Sequence, residues 1–233
     1  DLHSFPTRRS SDLEPADGIH AKGKIGVPEI DEQDLIVDAR GRYADRTLFL
    51  TDSEIQLQDS PAIVDTSGKL IFDGSAPTID LTAKWQNMQW PLRGKPVVTS
   101  SNGDGTLRGP LPYDFAVTAS LAGPNFPPGA GSATGVISKE QVTLASYSVN
   151  ALGGSLTGNG QLQFAQPRAW RVSTRTTNVN PAGLFKDFPG SINMTANASG
   201  EGFDKKAIFT ADVSELRGRS EEHTSELQSQ NRI

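Results

Sequence analysis

Short runs in which apolar and polar residues alternate are the feature that most restricts how this chain can fold. Apolar side chains occupy every second position from Ile79 to Trp85 and from Tyr113 to Leu121. The segments 156–164 and 192–198 show the same parity. Because side chains of a strand point alternately to its two faces, each run predicts a strand with one apolar and one polar face. One wet face favours antiparallel pairing, since buried parallel strands have continuous apolar runs.

The residues between the runs predict tight turns and very little helix. Gly, Ser, Thr, Asn and Asp are frequent there, as in loops that join strands. One short helix is expected near 181–187, with Asn180 as its N-cap and Pro181 in the first helical position. The stretch Pro124–Gly129 is expected to be a loop because its prolines and glycine interrupt regular structure.

A weak internal repeat accompanies the alternation. A glycine is followed two residues later by an apolar residue at four places, each expected at the start of a strand: Gly68, Gly105, Gly154 and Gly190. Such self-similarity suggests stacked supersecondary units.

Composition excludes several functional classes. The chain has no Cys, which excludes disulfide scaffolds and thiolate metal sites. Its net charge is −5 without a basic block, so nucleic acid is not an expected partner. No catalytic residue, metal ligand or cofactor site is predicted, because no phosphate-binding loop, dinucleotide fingerprint or nucleophile elbow is present. The acidic clusters at 31–34 and 45–54 are interpreted as solvated.

Both ends of the chain are set apart from the rest. Residues 1–13 and 219–233 resemble translations of the two opposite sequencing-library adapters. We therefore expect these segments to be disordered artefacts and the fold to lie within 14–218. That part is expected to be a fragment of a longer protein.

Two segments resemble signatures of the TamB/AsmA-like family of translocation and assembly modules. In Leu81–Gly94 a strand that carries Trp85 leads to the turn Trp90-Pro-Leu-Arg-Gly94. In Ala169–Gly200 a strand with an early Trp170 is followed by Asn-Pro, a short connection, Pro-Gly and an alternating strand. Each motif consists of a few Trp, Pro and Gly residues, and the order of the motifs along the chain also resembles that of the family.

The resemblance implies an elongated antiparallel sheet that curls into a groove. It also implies a function, as a segment of a bridge across the periplasm that carries phospholipid between the inner and outer membranes. The full-length protein would be anchored in the inner membrane and have an outer-membrane barrel partner of the TamA type. It would not be an enzyme. The candidate lipid-lining residues are the larger apolar residues of the alternating runs: Leu70, Phe72, Ile79, Leu81, Phe115, Val117, Leu121, Leu162, Phe164, Ile192 and Met194.

Several alternatives stay open at this point. The apolar residues could be ordinary core between two sheets of a structural or adhesive sandwich, or of a solenoid. Unpaired strand edges could assist the assembly of outer-membrane proteins. A polysaccharide-cleaving enzyme would need two facing carboxylates, and no pair stands out. The three tryptophans fit either a groove rim or structural anchors under turns.

Overall fold

The computed structural model describes residues 18–27, 33–57, 60–92, 94–124, 126–183, 190–202 and 208–220. Within them the chain forms thirteen strands and one 3₁₀ turn, Pro181–Gly183. The strands are β1 (Ile19–Val27), β2 (Gln33–Ala44), β3 (Thr47–Leu57), β4 (Ile63–Ile71), β5 (Thr78–Trp90), β6 (Val98–Gly109), β7 (Tyr113–Gly123), β8 (Phe126–Ile137), β9 (Gln141–Ala151), β10 (Gly154–Gln163), β11 (Ala169–Val179), β12 (Gly190–Glu201) and β13 (Ile208–Ser220). No helix among these residues has the length and apolar character to cross a membrane.

All thirteen strands belong to one open sheet whose spatial order is the order of the sequence. Each strand pairs antiparallel with the strands before and after it, as expected for two-stranded hairpins joined in series. Within the described residues, the first and last strands pair on one side only. This arrangement confirms the all-β, antiparallel, curled-sheet prediction, and a single sheet excludes the two-sheet sandwich.

The pairing register places the alternating apolar residues of neighbouring strands on the same side. Leu81 of β5 pairs with Leu107 of β6, which pairs with Phe115 of β7. The same row continues through Leu144 of β9 and Val172 of β11, with glycines between them. We call this side of the sheet the apolar face and the opposite side the polar face.

The apolar face is only half covered. Among the described residues, only Ala62 and Ile79 are apolar side chains with relative exposures of 9% or less. The substantial contacts between described strands join sequence neighbours, so no second layer packs on the face. A sheet with one apolar side normally buries that side against another element. Here the face keeps access to solvent, as an open groove requires.

One-residue β-bulges reset the alternation within several strands, among them β3 and β9. In β3 the pairing with β4 slips between Leu50 and Ser53, and in β9 the pairing with β8 slips around Ala145. A bulge puts two residues opposite one and turns the following side chains to the other parity. Apolar residues before and after each bulge therefore stay on one face although their parity in the sequence changes.

Two local predictions need correction. The expected helix appears as the 3₁₀ turn Pro181–Gly183, in which Asn180 Oδ1 accepts a bond of 2.9 Å from Ala182 N, and 184–189 lie outside the described residues. The loop prediction for Pro124–Gly129 is wrong from residue 126 onward because β8 begins there. Pro127 and Pro128 have no backbone N–H to donate to a neighbouring strand. They are tolerated in β8 because its pairing with β7 is irregular between Leu121 and Gly123.

The four repeat glycines do not share one structural position. Gly154 and Gly190 begin strands as expected, whereas Gly68 and Gly105 lie inside β4 and β6. The structural repeat is the hairpin itself. Of the terminal segments predicted to be disordered, Arg219 and Ser220 belong to β13, and 1–13 and 221–233 lie outside the described residues.

Candidate functional site

The structure brings nine of the eleven candidate lining residues onto the apolar face. Leu70 pairs with Ile79, and the register carries the same face through the other members: Leu81, Phe115, Val117, Leu121, Leu162, Ile192 and Met194. Phe72 and Phe164 follow the ends of β4 and β10, and each is 43% exposed. A role of these residues in contacting lipid stays a prediction.

Large side chains of the apolar face lie over glycines of the neighbouring strand. A Cβ added at Gly103 of β6 would collide with the indole ring of Trp85 from β5. A Cβ at Gly135 of β8 would come within 2.8 Å of the ring of Phe115 from β7. Aromatic rings that cover strand glycines shield the exposed backbone and help to fix the register. The rings of Trp85 and Phe115 therefore extend over the backbone of the neighbouring strand.

The polar atoms of three aromatic side chains on this face are bonded to the protein. Trp85 Nε1 donates to Ser100 Oγ at 2.9 Å. Tyr113 Oη donates to Pro77 O at 3.0 Å, and Tyr147 Oη, which lies over Gly158, bonds Thr174 Oγ1 two strands away. A buried or half-buried polar group without a partner would be costly in contact with an acyl chain. With these bonds made, the rings offer mainly apolar surface.

The sequence prediction missed apolar-face residues in the first strands and in β9. Val37, Ile55 and Val64 continue the face through β2 to β4. Leu144 and Tyr147 occupy it in β9 on opposite sides of the bulge. In β2 the apolar face could have been predicted from the alternation of Leu35, Val37, Ala39, Gly41 and Tyr43. In β3 and β9 the bulges interrupt the alternation and conceal the face.

The polar face carries hydroxyl pairs and exposed ion pairs. Two shallow hollows of about 530 Å³ and about 640 Å³ lie over β9 to β13. The residues that line both hollows, Gln161, Arg171, Ser199 and Thr210, all belong to the polar face. Among the described residues, no group of three His, Asp or Glu side chains is placed to hold a metal ion. The polar face thus offers wet, open depressions that differ in chemistry from the apolar face.

The three tryptophans have different environments. Trp85 lies mid-strand on the apolar face, and Trp170 Nε1 donates to Gly202 O at 3.0 Å, which ties the start of β11 to the end of β12. Trp90 ends β5 and is 64% exposed. Trp170 therefore fits the predicted structural anchor, and Trp90 does not.

A long single-layer antiparallel sheet with one half-exposed apolar face defines the class of β-groove proteins. The family model described as "TamB, N-terminal domain" matches residues 19–231, so the chain belongs to the TamB family. This family acts in a translocation and assembly module of the cell envelope and is not a known enzyme class. No curated protein and no solved structure matches the chain.

Proposed function

We propose that this chain is a segment of a periplasm-spanning bridge that conducts phospholipid between the inner and outer membranes along its apolar face. The observation that carries the proposal is the continuity of that face from β2 to β12, on which no covering layer packs in the part of the chain that the structure describes. Exposed apolar areas of this extent on soluble proteins mark binding sites for apolar partners. A long strip favours a long, flexible apolar ligand over a compact one.

The energetics of an acyl chain fit such a strip. Each CH₂ group removed from water contributes about 0.8 kcal/mol, so five groups in contact with the face contribute about 4 kcal/mol. The side chains that would supply this contact recur from row to row, for example Leu81, Phe115 and Leu144. Similar neighbouring positions have similar binding energies, so a lipid can move along the strip without meeting one deep trap. The headgroup stays in water at the open side.

The location and partners of the whole protein belong to the same proposal. The TamB family acts in the cell envelope. A bridge needs one attachment at each membrane, which we assign to an inner-membrane anchor and an outer-membrane barrel partner of the TamA type.

The open edges of the sheet favour a second candidate function. The outer side of β1 and the outer side of β13 carry no strand partner among the described residues. An unpaired edge can add an extended segment of another chain through main-chain hydrogen bonds. Assistance to the assembly of outer-membrane proteins would use these edges and would not require the apolar face.

Lipid capture by the 233-residue chain tests the first proposal. The chain is exported to a bacterial periplasm, purified, and examined by native mass spectrometry and lipid extraction. We expect co-purified phospholipid, which is lost when Phe115 and Val117 are both changed to Asp. The matched control is Ala116→Asp, because Ala116 lies between them on the polar face and is exposed. Far-UV circular dichroism verifies that each variant is folded.

The outcomes separate the two candidate functions. A folded chain that carries no phospholipid contradicts conduction by this segment and leaves the edge function. Equal loss of lipid in the apolar-face variant and in Ala116→Asp would show that the added charge acts through folding, and it would contradict the assigned lining.

A further inference from the structure

The most exposed large apolar side chains lie mainly where strands end. Among the described residues, five of the six such side chains occupy a turn or one of the last two positions of a strand: Tyr43, Phe72, Trp90, Val97 and Phe164. Only the sixth, Val213, lies in the interior of a strand. Strand ends form the two long borders of a sheet, so these exposed apolar groups lie along its borders. We call these borders the rims.

The connection between β5 and β6 presents the two most exposed of these side chains together. Trp90 is 64% exposed and Val97 is 59% exposed. Val97 N donates to Trp90 O at 2.8 Å, which closes the base of the loop. The Gln89 side-chain amide donates to the carbonyls of Pro91 and Leu92, both at 3.3 Å. These bonds tie Pro91, Leu92 and Val97 to the end of β5, next to the exposed apolar pair.

Trp90 differs from the other two tryptophans in its indole nitrogen. The indole groups of Trp85 and Trp170 donate to Ser100 Oγ and Gly202 O. Within the described part of the chain, Trp90 Nε1 has no hydrogen-bond acceptor. An exposed ring with a free N–H combines an apolar body with a polar tip, the combination that favours the boundary between hydrocarbon and water. Lys95, a basic residue, is exposed in the same loop.

We infer that Trp90 and Val97 form a rim contact for the ester and phosphate region of a phospholipid whose acyl chains lie on the apolar face. This inference rests on the proposed function and deepens it by assigning the boundary between the tails and the headgroup. The ring packs on the glycerol and the first methylenes. The indole N–H donates to an ester or phosphate oxygen, and the Lys95 ammonium attracts the phosphate. The apolar face then needs no headgroup-binding residue of its own.

Depth-dependent fluorescence quenching tests the assignment with two single-tryptophan variants of the full chain. Trp85→Phe with Trp170→Phe leaves Trp90 as the reporter, and Trp90→Phe with Trp170→Phe leaves Trp85. Each protein is loaded from vesicles of phosphatidylcholine and phosphatidylglycerol that carry a nitroxide either near the ester end or near the methyl end of one acyl chain. The protein is then separated from the vesicles before measurement. We expect the ester-end label to quench Trp90 more than the methyl-end label, and the opposite order for Trp85.

The results distinguish the rim assignment from the proposed function. Quenching of Trp85 without quenching of Trp90, or stronger quenching of Trp90 by the methyl-end label, overturns the rim contact and leaves lipid binding in place. A third outcome is that Trp90 is quenched only while vesicles are present, whereas Trp85 stays quenched after their removal. That result would mean that the loop touches a membrane surface, and it also overturns the assignment. Absence of quenching at both positions contradicts the proposed function itself.

Discussion

Replacement of Gly103 by Ala should destabilise the sheet because Trp85 lies over this glycine. An ideal Cβ at position 103 would lie 2.6 Å from Thr118 O and closer still to the indole ring of Trp85. The indole cannot turn aside freely, since its Nε1 donates to Ser100 Oγ at 2.9 Å. Either the backbone of β6 and β7 must separate or the hydrogen bond must break.

The magnitude follows from these two costs. Forcing a methyl group into a packed site costs about 1–3 kcal/mol. Loss of the indole hydrogen bond adds about 1 kcal/mol. We therefore expect Gly103→Ala to lower the free energy of unfolding by about 2–4 kcal/mol.

Two other glycines provide a graded series for the same substitution. At Gly105, on the same strand, a Cβ would lie 3.0 Å from Val117 Cγ1 and 3.2 Å from Ala116 O, so Gly105→Ala should cost about 1 kcal/mol. At Gly23 of β1 nothing lies within 4 Å, so Gly23→Ala should change stability by less than about 0.5 kcal/mol.

Urea denaturation of the full chain, followed by far-UV circular dichroism, measures the series. The near-UV signal of Trp85 should change in the Gly103 variant and stay unchanged in the Gly23 variant. The reasoning is refuted if Gly103→Ala and Gly23→Ala have the same unfolding midpoint, because the ring would then not depend on the glycine beneath it.

Three further substitutions follow from individual contacts. Ser53 is 4% exposed and its Oγ has no hydrogen-bond partner among the described residues, so Ser53→Ala should raise the free energy of unfolding by about 1 kcal/mol. Thermal denaturation measures the change, and a lower melting temperature of the variant would show that the hydroxyl has a partner. Ser100→Ala should cost about 2 kcal/mol in urea denaturation, because Ser100 Oγ accepts from Trp85 Nε1 and donates to Asn102 O, each at 2.9 Å. The cost should fall by about half when Trp85 is already Phe, since the bond to the indole is then absent, and full additivity would contradict that bond. Arg108→Ala should lower the free energy of unfolding by less than about 0.5 kcal/mol, because Arg108 is 61% exposed and Asp80, its ion-pair partner at 3.3 Å, is 51% exposed. A larger shift in the urea unfolding midpoint would mean that the arginine side chain also contributes packing.

Strand identity and facing could be predicted from sequence wherever alternation is uninterrupted. In β5 and β7 the period of two assigned Leu81, Phe115 and Val117 to one side, and the register confirms that they share it. In β9 the same rule fails because Ala145 is an extra residue at a bulge, so Leu144 and Tyr147 have opposite parity and one face. In β8 the face consists of small residues such as Gly131 and Gly135, which lack any hydrophobic signal of their own.

The number of sheets was beyond the reach of sequence patterns. An apolar face that packs against a second sheet and an apolar face that stays open have the same alternation. The difference lies in the glycines opposite Trp85, Phe115 and Tyr147, which let large rings lie down across the neighbouring strand. Those pairings depend on register, and register is a long-range property that a single sequence does not display.

Because the strands that the structure describes pair in the order of the sequence, the width of the sheet is set by the number of strands. Neighbouring strands are about 4.8 Å apart, so the insertion of one hairpin extends the sheet by about 10 Å. Such an insertion leaves every other strand with its original partners, apart from the two that separate to receive it. The length of such a sheet can therefore change during evolution in steps of one hairpin.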